Sequence, residues 1–294
     1  RAPFPGQPGT RPETMTSSIA LRAALGIALL TAMDAVIKGQ MQQHPFIVAL
    51  FMRFLMGGAC ALVVLAIARP ARPTRTSLVG NIARVPIVVL TAGSFFYSVS
   101  VLPLAEALTL SFLAPVFVAL LGGLLLKEHI DRRVLQALAF GLAGMLVMVW
   151  PRLQGHVSGA SLGVAAALFS AVSYAFNLIL LRRIAVREHP TVIVAFQNIG
   201  PALCLAIPAA FAFVPMTLAD LANYLFAGIL GVAGHLTLTS AYAKAAASRL
   251  AAIEYTALIW ASLLGFFVFG EVPLYTTYLG ALLIVAGAVA VSRR

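Results

Sequence analysis

Charge is what this sequence has least of. Asp, Glu, Lys and Arg make up 10% of its 294 residues, against 61% hydrophobic residues. Its mean hydropathy is +0.99. Soluble domains carry roughly 25% charged residues. A chain this apolar has too little polar surface to face water, so its solvent must be largely lipid. Cysteine is also scarce. Cys60 and Cys204 both fall in apolar stretches, which excludes a disulfide framework and reads as small apolar filling. The phosphate-loop pattern Gly-x-x-x-x-Gly-Lys-Ser/Thr is missing, which argues against ATP drive within the chain. No His-Glu-x-x-His, clustered Asp or Ser-His-Asp set shares one depth, which argues against a membrane-embedded enzyme. No cofactor and no metal are expected.

What is present is a series of apolar runs. They fall at about 21–38, 45–68, 84–102, 105–126 and 133–150, then 160–181, 190–213, 221–242, 250–269 and 276–292. A spanning helix needs about 20 apolar residues, so the series predicts ten spans with short loops. Residues 1–18 are rich in Pro, Gly, Thr and Ser and are expected to form a disordered tail, with Met15 a candidate native start. No cleavable signal peptide is expected ahead of the first span.

The charges orient the spans. With the N-terminus in the cytoplasm, the inner side holds Arg22, the arginines of RPARPTRTS, the cations of KEHIDRR and RRIAVREH, Lys244, Arg293 and Arg294. Arg84 and Arg249 lie at inner helix ends, and the outer side holds only Lys38 and Arg152. By the positive-inside rule this predicts both termini in the cytoplasm. The formal net charge of +11 is therefore explained by the membrane, and no nucleic-acid partner is expected.

The two halves repeat at an offset of about 145 residues. His44-Pro45 matches His189-Pro190, Phe51 matches Phe196, and Lys38 matches Arg183. Glu128 matches Glu271 and Gly144 matches Gly287 at a slightly shorter offset. A five-span repeat must reverse direction on its second pass. The loops agree: RRIAVREH carries three arginines where KGQMQQH has one lysine, and KEHIDRR carries three cations where GEVPLYT has none. The expected fold is an all-α membrane protein, ten transmembrane helices as two inverted five-helix repeats, over residues 19–152 and 153–294. Such repeats place a transport site near the midplane between them.

These residues resemble the EamA family of the drug/metabolite transporter superfamily, across most of residues 19–292. The first half carries Leu113-Ala114-Pro115-Val116, Glu128, Gly141 and Gly144; the second carries Gly270-Glu271 and Gly280 to Gly287. Leu258 stands where a second mid-span proline would be expected. The resemblance implies a carrier, most similar to exporters of amino acids and related metabolites of the YddG type.

Several residues are candidates for the work. A charge inside a span costs roughly 2.5–3.5 kcal/mol. Asp34 and Arg53 sit at similar depth in the first two spans, and Lys38 one turn beyond Asp34. An Asp34–Arg53 or Asp34–Lys38 pair is either a gate or substrate-binding charge, or a structural pair closing a hairpin. Glu106 and Glu254 are candidate proton carriers; Glu106 also reads as a helix N-terminal carboxylate facing water. His235 is a proton shuttle or a packing histidine. Candidate pore residues are Phe96, Tyr97 and Ser111, then Tyr174 and Asn177, then Tyr242, Tyr255 and Trp260. Pro115 reads as a hinge or a static kink. The glycines at 228, 231 and 234 read as a close-packing face.

The leading expectation is an alternating-access secondary carrier exporting small amphiphilic metabolites, amino acids first among them, as a monomer or homodimer. The alternatives are a channel for small solutes and a membrane-embedded enzyme. A channel filter often needs a ring of chains or a re-entrant segment, and neither is visible.

Overall fold

A computed structural model describes residues 17–71, 73–114, 117, 120–121, 136, 139–141, 143–147, 150–151, 160–185, 188–242 and 256–292. Among these residues the chain forms helices and no strand. They are α1 (Ser17–Met41), α2 (Phe46–Ala68), α3 (Arg75–Val101), α4 (Leu104–Ser111), α5 (Ala160–Ala185), α6 (Pro190–Phe211), α7 (Leu218–Tyr242), α8 (Thr256–Phe269) and α9 (Tyr275–Ser292). Helical residues between 136 and 151 lie where the fifth span is expected.

Local chemistry sets the helix ends. Pro45 and Pro103 precede α2 and α4, and Pro190 opens α6. A proline there lacks only an N–H that would have no helical partner. Thr74 caps α3 by accepting the Ser77 N–H at 3.2 Å. A reciprocal box starts α7. Asp220 Oδ2 accepts the Thr217 N–H at 2.8 Å, and Thr217 Oγ1 accepts the Asp220 N–H at 3.2 Å.

Among the described residues five helical segments are long and apolar enough to cross a membrane: α2, α3, α6, and Ser161–Leu181 and Leu218–Leu238 within α5 and α7. Large apolar side chains stand outward on them, with Ile67 78% and Phe211 89% exposed. In water that surface would drive aggregation; against lipid it carries no such cost.

The core lies between the two halves of the chain. α1 packs on α7, α3 on α5, α2 on α6 and α7, and α4 on α5 and α8. On the ten-span order expected from the sequence, these pairings include first on eighth, third on sixth, second on seventh, and fourth on ninth. Exchanging the halves maps the first pairing onto the second and leaves the last two unchanged, the contact pattern of two equivalent units. Glycines permit the closest approach. A Cβ on Gly26 would lie 3.2 Å from the Gly234 carbonyl oxygen, and one on Gly228 would lie 2.8 Å from the Met56 carbonyl carbon. Ile37, Leu50, Phe54, Phe96 and Tyr224 fill the centre of the largest core cluster.

Candidate functional site

Two buried charges meet in this core without touching. Asp34 lies about two turns before the end of α1, and Arg53 about two turns after the start of α2. The turn at 42–45 makes the helices antiparallel, so both side chains share one depth. Asp34 is 7% exposed and Arg53 9%. Each acts electrostatically on the other, yet neither forms an ion pair among the described residues. The guanidinium is held by rings instead, 4.4 Å from the Phe54 centroid and 5.2 Å from that of Phe96. Its Nε is buried with no hydrogen-bond partner. A buried donor left unmade costs about 1–3 kcal/mol. His235 of α7, half-buried, lies within the field of Arg53. The arrangement offers a donor fork and an acceptor at one depth, walled by aromatic rings.

One end of the bundle, marked by His44, is tied shut. Lys38 Nζ lies 2.5 Å from Glu271 Oε1 and donates to the Leu102 carbonyl at 2.7 Å. The other Glu271 oxygen accepts the Leu104 N–H at 2.9 Å. Glu106 accepts from Thr277 Oγ1 at 3.3 Å. These bonds join α1, the α3–α4 turn and the α8–α9 turn. Backbone geometry aims the carboxylate. Gly270, at φ +66°, reverses the chain, and the Glu271 N–H returns to the Gly265 carbonyl at 2.9 Å. Gly265 leaves room for the acid, since a Cβ there would lie 3.0 Å from Glu271 Oε2. Beside this tie, His44 Nε2 lies 3.7 Å from Asp220 Oδ2.

The opposite end, marked by Ser77, carries a second polar group. Ser77 Oγ donates to Glu188, joining α3 to the start of α6. Arg84 of α3, 3% exposed, donates from Nε to Asn177 Oδ1 at 3.0 Å and from Nη1 to Asn81 Oδ1 at 3.4 Å.

Helices packed between two equivalent halves, with buried charge at their interface, are the layout of a membrane carrier. The EamA-like transporter family profile matches residues 17–150 and 161–293. The chain belongs to the EamA-like transporter family. Among its relatives, a pseudopaline exporter of Pseudomonas aeruginosa is 28% identical over 93% of this chain and 95% of its own length. An S-adenosylmethionine uptake transporter of Rickettsia bellii is 25% identical, covering 82% of this chain and 81% of that protein. A riboflavin transporter of Rhizobium johnstonii is 27% identical over 72% and 70%. A solved crystal structure, 22% identical, shares the fold at a TM-score of 0.61, covering 94% of this chain and 96% of that one. As an EamA-like protein the chain is an integral membrane transporter of small metabolites, and its family is not one of enzymes.

Within this EamA fold the sequence-predicted residues divide. Asp34, Arg53 and Phe96 come together, with His235 nearby. Tyr97 packs edge-on against Phe46 at 6.2 Å. The acid paired with Lys38 is Glu271, which residue spacing alone could not show because it lies in the other half. Glu106 is 3% exposed and bonded to Thr277, so it does not face water. Ser111 spends its hydroxyl on the Ala107 carbonyl of its own helix, at 3.1 Å. Asn177 joins Arg84 rather than the Arg53 group. Tyr174 and Trp260 stand on the periphery, 43% and 38% exposed, and Trp260 lines an apolar groove with Ala28 and Phe267. Pro115, Glu254 and Tyr255 lie outside the described residues, as does the Tyr242 side chain. Sequence reasoning missed Glu271 as a partner and Arg84 as a buried group. The signal for Glu271 was its place in the repeat, opposite Glu128.

Proposed function

We propose that this EamA-like protein is an alternating-access secondary carrier, ten spans in two inverted five-helix repeats, that exports small amphiphilic metabolites. Amino acids and their close relatives are the first substrate class, and the membrane is the bacterial cytoplasmic one with both termini inside. The observation that carries the reading is the buried, unbridged Asp34–Arg53 couple. Burying an uncompensated ion costs several kcal/mol even after relaxation. A zwitterion bound between them supplies both missing partners, its ammonium to Asp34 and its carboxylate to the Arg53 fork. Phe54 and Phe96 then face its apolar part. The relatives named for pseudopaline, S-adenosylmethionine and riboflavin support a small-metabolite site of this kind. Cation-poor loops put the His44 end outside, so the Lys38–Glu271 tie serves as the outer gate in its closed state.

Purified protein in liposomes tests this with a radiolabelled panel of amino acids and related metabolites, with and without a pH gradient. The expected result is saturable flux with counterflow for at least one zwitterion, lost in Arg53→Gln. Non-saturating flux without counterflow, or no flux for any amino acid, overturns the reading.

A further inference from the structure

We propose that Arg84 is a second carboxylate-binding station, on the cytoplasmic side of the Asp34–Arg53 site, a reading that rests on the carrier function above. The argument begins with level. Arg84 lies about two and a half turns from the start of α3, Asn177 about two turns before the end of α5, and Gln197 about two turns into α6. The three helices meet with these residues at one height, nearer the Ser77 end, whereas Arg53 lies nearer the His44 end. Between α3 and α6 a narrow cleft is lined by Asn81, Arg84, Val85, Val88, Phe196 and Gln197.

The donor account does not close. Arg84 gives Nε to Asn177 and Nη1 to Asn81, and its Nη2 is buried with no partner. Both acceptors are neutral amides, which supply dipoles but no counter-charge. Among the described residues no carboxylate pairs with it. Lys38 marks the contrast, since there the molecule provides Glu271 at 2.5 Å. If Arg84 served only to join α3 to α5, an apolar contact would do so at least as well, because replacing buried charge by packed apolar groups is often neutral or stabilising. A fork with two amides holding its orientation and one donor unpaired is instead preset for an oxyanion. At 3% exposure the guanidinium is out of reach of lipid phosphate, and the cleft beside it is closed in this state, so a solute would reach it only when the Ser77 end opens. α6 packs against both α2 and α3, so the two arginines flank one inter-half seam at different depths. A carboxylate leaving the cytoplasm meets Arg84 first and Arg53 second, and does not cross the low-dielectric interior without a cation beside it.

Inside-out and right-side-out proteoliposomes of phosphatidylcholine test this, using a transported amino acid and its uncharged-carboxyl amide. Arg84→Gln should raise the KM for the amino acid at the cytoplasmic face by about 10- to 100-fold, the range for losing a hydrogen bond to a charged group. The KM at the outer face, and that of the amide at both faces, should stay within about twofold of the parent values. Asn81→Asp is the second variant and covers a failure of the first to fold. Its new carboxylate supplies Arg84 with the counter-charge that the Asn81 amide lacks, so it should raise the cytoplasmic KM in a protein that still folds. Equal KM changes for acid and amide, or unchanged KM values in a folded Asn81→Asp protein, overturn the proposal. So does an Arg84 effect that appears only when phosphatidylglycerol is added, since the anion is then a lipid. In all three cases saturable zwitterion flux dependent on Arg53 leaves the carrier function standing.

Discussion

Replacing Glu271 by glutamine isolates the charge of the tie at the His44 end from its hydrogen bonding. The amide oxygen still accepts the Leu104 N–H, held at 2.9 Å in the native chain, but the direct Lys38–Glu271 ion pair is lost. The pair is close, at 2.5 Å, with side chains 5% and 19% exposed. Removing one partner of a buried pair costs about 3–5 kcal/mol, and the partial exposure of Glu271 places this near the lower end. The cost falls on the state in which the His44 end is closed, because an open state has already separated the pair. A difference of about 3 kcal/mol moves a two-state ratio by about 150-fold. The readout is the accessibility of Ala105→Cys, a position 2% exposed just behind the tie, in a chain with Cys60 and Cys204 replaced. A charged, membrane-impermeant thiol reagent added outside should label it at least about tenfold faster with Glu271→Gln. The exchange of both charges, Lys38→Glu with Glu271→Lys, should return the rate toward the parent value. Equal labelling rates in folded, monodisperse proteins would refute the assignment of the pair to the outer gate.

Further expectations follow from the same geometry. Asp34→Asn and Arg53→Gln should each abolish zwitterion flux while leaving the folded bundle intact by size exclusion, because neither residue completes a hydrogen bond or ion pair among the described residues. A defect repaired in the Asp34→Asn/Arg53→Gln double variant would contradict a substrate site and favour a structural couple. Gly228→Val should destabilise the protein by about 1–3 kcal/mol through overpacking against the Met56 backbone, read as a lower melting temperature in detergent. Thr217→Ala should cost about 1 kcal/mol by removing half of the box that starts α7, with KM unaffected. Tyr174→Ala and Trp260→Ala should leave KM within about twofold, since both side chains face outward.

The helices were legible because lipid demands a run of apolar residues for every crossing. The expected run 45–68 is α2, Phe46–Ala68, and 190–213 is α6, Pro190–Phe211. The third run misses at its start, expected at 84 and observed at Arg75. Hydropathy falls across the polar residues there, but the Thr74 cap sustains the helix through them. Asp34 and Arg53 were legible as a couple because one short turn joins their helices and depth can be counted along each.

Lys38 shows what counting cannot reach. The repeat register aligns Lys38 with Arg183 and Glu271 with Glu128, which says that the positions are equivalent but not which of them meet. Arg84 likewise reads as an interfacial cation by charge rules, yet it is buried against Asn177. The sequence by itself determined that this chain lives in lipid, roughly where its helices lie, and that its halves are related. Each of these follows from local hydropathy, capping and charge. Only the tertiary structure decided which buried charges are satisfied, because that depends on side chains brought together from helices far apart in the chain. Lys38 received a carboxylate from the other half; among the described residues Arg53 and Arg84 did not.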